Sequence, residues 1–294
     1  MSMIKYKNDQ NDLFVNGDTT TVSFIVNCLV INDIIVDRKQ PVEELIINLY
    51  MLAGFFFVVA FAYSSVGLGG GSSYTALMAI FGVSFLAIPT ISLTLNLFVT
   101  SIGSFNFIRK KHARVRLILP FFISSIPMSY IGGSLKLPKD IFYWILLITL
   151  IFVALRIYAW EKTSLKLNIG YIQQIIFSLI AGSVLGLIAG IVGIGGGIYL
   201  VPLIIILGLG TEKEAAACGA IFIWVNSLSG LMARLQHNPI NIADLIPLII
   251  AVVLGGSFGS YMGSSKLAPK TMQKLLGGII IVAIVFLARK ILSA

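Results

Sequence analysis

Two runs of glycine hold most of the chemistry this sequence offers. Val66-Gly67-Leu68-Gly69-Gly70-Gly71 recurs 126 positions later as Val192-Gly193-Ile194-Gly195-Gly196-Gly197, and each run lies between hydrophobic stretches. Adjacent glycines cost ~1 kcal/mol each in a helix interior relative to alanine. Helix packing needs one small face, not a contiguous run, so each run reads as a break in a helix, serving a ligand site or only a structural turn. A broken membrane helix frees backbone N–H groups, which are useful only where something polar is held. A helix N-terminus adds about half a positive charge. Two such starts, one from each half, can hold a small anion without a countercharge. The residues expected to bind it are Gly69, Gly70, Gly71, Ser72 and Ser73 from the first half and Gly195, Gly196 and Gly197 from the second. Asn96, Thr100, Asn226 and Ser227 supply neutral side chains nearby. For the two asparagines, ligand binding and an interhelical or back-bonded amide are both open readings.

What is missing narrows the chemistry further. No Asp, Glu, Lys, Arg or His occurs from Leu45 to Ile108, from Gly170 to Gly210, or from Ala215 to Ala233. Intramembrane ionisable groups ordinarily mark proton and ion pathways, and these stretches offer neither a carboxylate relay nor an arginine clamp. An anion therefore fits better than a cation. Gly71-Ser72-Ser73 lacks the base that a serine nucleophile needs, because His112 and His237 sit at loop edges. No Walker motif, dinucleotide fingerprint or metal-ligand spacing is present. The reading is a non-enzyme with no catalytic residues, metal or cofactor.

The elements that must position the glycine runs are membrane helices. Hydrophobic residues make up 57% of the chain and charged residues 11%, and mean hydropathy is +0.97. A soluble domain carries about 25% charge. The net charge of +9 is therefore read as cytoplasmic loops and lipid contacts, not nucleic-acid binding. The apolar runs predict an all-α polytopic membrane protein of two repeats, each with about four spans plus a glycine-led half-helix. Spans are expected at Leu45 to Val66, Ile88 to Ile108, Leu117 to Leu135 and Ile141 to Tyr158, then at Ile172 to Val192, Ala215 to Leu235, Ile242 to Ser264 and Met272 to Ile291. The glycine-led pieces run Ser72 to Phe85 and Ile198 to Gly210. Each is shorter than the ~30 Å hydrocarbon core requires. The chain divides into a peripheral segment 1–43, a first repeat 44–160, a linker 161–169 and a second repeat 170–294.

Charge counting gives a topology. If the short pieces do not cross, eight spans place 15 Lys/Arg inside and 6 outside, and the halves are parallel. If they cross, ten spans with outer termini give 12 and 9, and the halves are inverted. The positive-inside rule favours eight spans, with the Arg109 to Arg116 loop and the N-terminal segment cytoplasmic. No cleavable signal peptide is apparent. Gly182, Gly186 and Gly190, and likewise Gly255, Gly259 and Gly263, recur every four residues and read as close-packing faces. Ser125, Ser129 and Gly133 are the first-half counterpart of the latter set. Cys218 reads as a small packing residue. Trp224 reads as lipid or core packing, or as a gate or pocket wall.

Gly67-Leu68-Gly69-Gly70-Gly71, Leu95-Asn96-Leu97 and Phe107-Ile108-Arg109-Lys110-Lys111 resemble the first half of the sulfite exporter TauE/SafE family. Gly190 through Gly197, with Asn226 and the Gly255 to Gly263 run, resembles its second half. The resemblance covers about residues 45 to 292. It implies a multi-pass inner-membrane permease moving sulfite, sulfonates or related sulfur anions, commonly outward. Family members often carry a lysine after the first-half asparagine, where Leu97 stands here. The expected function is a secondary exporter of a small anion, sulfite or an organosulfonate. An anion channel and a non-transporting assembly or partner-binding subunit are the alternatives.

Overall fold

The computed structural model describes residues 42–65, 68–110, 112, 115–159, 170–237, 239, 242–263 and 269–292. The N-terminal segment 1–41, the linker 161–169 and the first two residues of the first glycine run lie outside them. The described residues form helices α1 (Val42–Ser65), α2 (Gly71–Ile80), α3 (Ala87–Arg109), α4 (Val115–Ser134), α5 (Lys139–Ala159), α6 (Tyr171–Val192), α7 (Gly197–Ile206), α8 (Glu212–Leu235), α9 (Ile246–Gly263) and α10 (Pro269–Leu292). A single 3₁₀ turn, Ile242–Leu245, precedes α9. Ala87–Asn106, Leu117–Ser134, Ile172–Val192 and Lys213–Leu235 are each long and apolar enough to cross a membrane. The outer surface is oily: Phe105, Ile123, Ile148, Ile172 and Ile180 are all more than half exposed. Hydroxyls and amides lie inside, among them Ser72, Ser73, Asn96, Asn226 and Ser227.

The glycine-led helices are shorter than their apolar stretches. α2 and α7 have 10 residues each, about 15 Å at 1.5 Å per residue, or half the hydrocarbon core. Glycine ends them. Gly82 (φ 75°) and Gly208 (φ 64°) are left-handed, and beyond each the chain folds back on the last turn. The Val83 N–H donates to the Met78 carbonyl at 2.9 Å and the Leu209 N–H to the Ile204 carbonyl at 3.0 Å, the six-residue closure that a left-handed glycine after a helix permits.

Direction follows from which residues meet. Tyr63 Oη lies 2.8 Å from Ser72 Oγ, and the Phe55 and Phe81 rings meet at a tilt with centroids 6.0 Å apart. So α1 and α2 form an antiparallel hairpin. α7 likewise starts beside Gly219 and Ile223 of α8 and ends one tight turn before α8 begins. Across the middle of the bundle Trp224 meets Ser101, while Gly103 lies near Ala220 and Leu93 near Gly230. Hence α3 and α8 are antiparallel, and the two hairpins enter from opposite ends of the bundle. This departs from the parallel arrangement that charge counting favours. The count took α1 as a full crossing, but α1 and α2 return together to the end they entered. The described start of α1 therefore lies at the opposite end of the bundle from Arg109.

The small-residue faces draw the long helices together. On α6, Gly182, Gly186 and Gly190 pack against the α4 main chain at Phe121, Ser125 and Ser129. On α9, Gly255 and Gly259 pack against the carbonyls of Phe57 and Phe61 on α1. Each long helix that precedes a glycine run is thus clasped by a helix from the other half of the chain. A side chain at any of these glycines would drive those backbones apart. Cys218 is fully buried in the same core.

Candidate functional site

The hairpin tips meet at the centre of the bundle, around Asn96. A Cβ placed on Gly71 would fall 2.7 Å from the Ile194 carbonyl and 2.5 Å from Asn96 Nδ2. One placed on Gly69 would lie 2.7 Å from Asn96 Oδ1, and one on Gly195 3.2 Å from Asn96 Nδ2. Glycine is required here because the two tips and the amide occupy the space any side chain needs. Gly70 (φ 92°) and Gly196 (φ 77°) are also left-handed. They turn the chain so that their carbonyls accept from the first-turn amides: Ser73 and Tyr74 on Gly70 at 3.0 Å each, Tyr199 and Leu200 on Gly196 at 3.1 and 3.3 Å. The amides ahead of these lie outside the helical ladder, as at any helix start.

Asn96 Nδ2 faces the Gly193 carbonyl at 3.4 Å, which fixes the amide's orientation because the reverse would oppose two oxygens. Its Oδ1 is buried without a partner. Ser92, one helical turn earlier, donates to the same Gly193 carbonyl at 2.7 Å and lies 3.4 Å from the Gly71 carbonyl. Thus two α3 side chains, four residues apart on one face, hold the second-half tip. Ser92 is absent from the sequence-based set, although the spacing Ser92-x₃-Asn96 is a legible signal.

The remaining expected residues divide. Ser227 Oγ is buried, unpartnered and 3.2 Å from a Cβ position on Gly195, so it faces the tips. Asn226 instead back-bonds through Nδ2 to the Phe222 carbonyl at 2.9 Å, and its own carbonyl accepts from Ser129 at 2.8 Å. Thr100 spends its hydroxyl on the Asn96 carbonyl at 2.6 Å and turns its methyl toward Gly69. The Ser72 and Ser73 hydroxyls close on Tyr63 at 2.8 and 3.1 Å. Trp224 donates from Nε1 to Ser101 Oγ at 2.9 Å, a tie between α3 and α8.

Arg234 is the residue that sequence reasoning missed. It falls one position beyond the charge-free stretch and was counted with the loops, yet it is 7% exposed. Its Nε donates to the Gly190 carbonyl at 3.2 Å, and its Nη2 donates to the Gly190 and Ile191 carbonyls at 2.9 and 2.6 Å. These are carbonyls of the last turn of α6, whose free ends carry partial negative charge. With Ser92 and Asn96 on Gly193, that C-terminal charge is offset next to the tip. The N-terminus of α7 then contributes positive potential at the tip, beside the charge of Arg234. Among the described residues no three His, Cys, Asp or Glu side chains cluster as a metal site would require.

Two hairpins, each a long helix followed by a half-length one, entering from opposite ends with glycine tips meeting around buried neutral polar groups, define a polytopic helical membrane protein of the transporter class. The model of the family described as Sulfite exporter TauE/SafE matches residues 51–287, and the chain belongs to that family. It is 35% identical over 236 residues to the Probable membrane transporter protein y4hK of Sinorhizobium fredii, covering 79% of this chain and 95% of the relative. It is 26% identical over 240 residues to the Probable membrane transporter protein YunE of Bacillus subtilis, covering 72% and 87%. It is also 26% identical over 259 residues to the Probable membrane transporter protein MJ0441 of Methanocaldococcus jannaschii, covering 80% and 93%. No solved structure gives a significant match.

Proposed function

We propose that the protein is a secondary transporter that exports a small oxyanion, sulfite or an organosulfonate, across the cell membrane. The observation that carries this reading is the meeting of the Gly69–Gly71 and Gly195–Gly197 tips around the unpartnered Asn96 Oδ1. Two helix starts offer N–H groups to an anion, and the buried Arg234 is held on α6 carbonyls rather than at the tips. Asn96 Oδ1 is an acceptor and asks the bound species for an O–H or N–H. A hydrogen-oxyanion, or a sulfonate bearing an ammonium group, supplies one. The proton for coupling then travels on the substrate, in keeping with helices that lack a titratable relay. Closure of either hairpin against the other exposes the tips to one side at a time. The Arg109 to Arg116 end, with 12 Lys/Arg against 9 in this arrangement, is the cytoplasmic one by the positive-inside rule.

The test is flux of radiolabelled sulfite and taurine in proteoliposomes bearing wild type or the Gly70→Val, Gly196→Val double variant. Saturable wild-type flux, lost in a double variant that still elutes as folded protein, is the expected result. Double-variant flux equal to wild type would sink the proposal.

A further inference from the structure

We propose that a second anion site lies at the end of the bundle where α3 begins and α8 ends, separate from the hairpin tips. A cavity of about 40 Å³ there is lined by Arg234, Lys136, His237, Ser134, Phe85 and Leu86 among others. That is room for about three water molecules, and the exposed Lys136 and His237 extend the site toward the surface. The guanidinium is the central feature. Its Nε and Nη2 are spent on the α6 carbonyls. Nη1, with two N–H groups, makes no bond among the described residues. No carboxylate among the described residues lies within ion-pair distance of Arg234.

Carbonyl oxygens solvate a guanidinium but bring no net charge, and a buried ion without a counterion is costly. Helix ends do not resolve the imbalance: α3 and α5 start here while α4 and α8 stop here, so those four dipoles offset, and the α6 end supplies only about half a negative charge against the full charge of the guanidinium. What remains is positive side-chain charge from Arg234 and Lys136, with His237 beside them, around an open cavity. A small free anion, halide or oxyanion, completes it. Since Arg234 also holds the last turn of α6, an anion bound there sits one turn from Gly193, on the side to which an exporter would release its substrate. The site extends the transport reading and does not depend on it.

The experiment is thermal melting of the purified full chain in neutral detergent with gluconate as background, titrated with sodium sulfite, sulfate or bromide. Saturable stabilisation by at least one of the three is expected. The Lys136→Gln, His237→Gln double variant, altered only at exposed positions, should shift its midpoint five- to tenfold upward. Gly71→Val should keep the wild-type midpoint while losing proteoliposome flux. No saturable stabilisation of wild type overturns the site. So does an unchanged midpoint in the double variant, loss of the response in Gly71→Val alone, or stabilisation by phosphatidylglycerol but by none of the three free anions. If the titrations behave as expected while no anion is transported, the transport reading falls and this site stands.

Discussion

Ser92 on α3 donates its hydroxyl to the carbonyl of Gly193 at 2.7 Å, across 101 residues of sequence. The bond pins the tip of one hairpin to a membrane-crossing helix of the other half. Asn96 reaches the same carbonyl from one turn further on. Ser92→Ala removes one neutral hydrogen bond at a buried acceptor, worth about 1 kcal/mol, and leaves Asn96 as the remaining donor. Asn96→Ala removes both the second donor and the unpartnered Oδ1. A modest drop in melting temperature with flux retained is expected for Ser92→Ala, and flux reduced at least tenfold for Asn96→Ala. Equal flux from the two variants would show that Oδ1 does not touch substrate.

The contact between tips leaves no room for a methyl group at Gly71. A Cβ there would lie 2.5 Å from Asn96 Nδ2 and 2.7 Å from the Ile194 carbonyl, and the latter is backbone. Gly71→Ala should cost about 1–3 kcal/mol as overpacking and should impair flux through displacement of Asn96. Gly54→Ala is the control, since nothing lies within 4 Å of its Cβ position. The readouts are denaturant midpoint and flux on the same preparations. Indistinguishable midpoints for the two alanine variants would refute the tip packing.

Gly82 separates backbone conformation from crowding. Its Cβ position is empty within 4 Å, yet its φ is +75°. Gly82→Ala should therefore cost about 1–2 kcal/mol from the left-handed conformation alone. Gly82→Asn should recover part of that loss, because asparagine tolerates this region. Thermal melts of the two variants decide it. Equal destabilisation by alanine and asparagine would point to something other than φ.

Helix existence was legible in this sequence, and helix meeting was not. Each long apolar run became a helix within a few residues, because a chain in lipid must satisfy its own backbone. Gly82 and Gly208 sit at the same 126-residue spacing as the glycine runs and could have fixed the ends of α2 and α7. The tips were placed at a site by their glycines, but only tertiary packing shows Thr100 turning its methyl inward and Asn226 bonding its own helix. Arg109 and Arg234 make the limit plainest. Each stands in the last turn of its helix, yet Arg109 is exposed and Arg234 is buried against α6. No local pattern distinguishes them, since the difference lies in which helix end packs alongside.

Arg234 holds two carbonyls through a planar fork, which lysine cannot reproduce. Arg234→Lys should keep the charge and lose part of the α6 cap. Arg234→Gln loses the charge as well. Charged hydrogen bonds are worth about 1.5–3 kcal/mol each, so both variants should melt earlier, glutamine more so. Hydrogen exchange should rise first in the last turn of α6. Protection unchanged at Gly190 to Gly193 in either variant would show that the arginine does not anchor that turn.

The direction of α3 against α8 sets the last prediction. Inverted hairpins place His112, at the α3–α4 end, and Leu135, at the α4–α5 end, on opposite sides of the membrane. Replace Cys28 and Cys218 with alanine, then introduce His112→Cys or Leu135→Cys singly. An impermeant maleimide added to intact cells should label only the Leu135→Cys protein, and inverted vesicles should reverse this. Val42→Cys, at the described start of α1, should then report on the same side as Leu135→Cys, because α1 starts at that end and returns to it through α2. Labelling of Val42→Cys from the same side as His112→Cys would mean that α1 crosses alone. The hairpin, and the inverted meeting of the two glycine tips with it, would then be wrong.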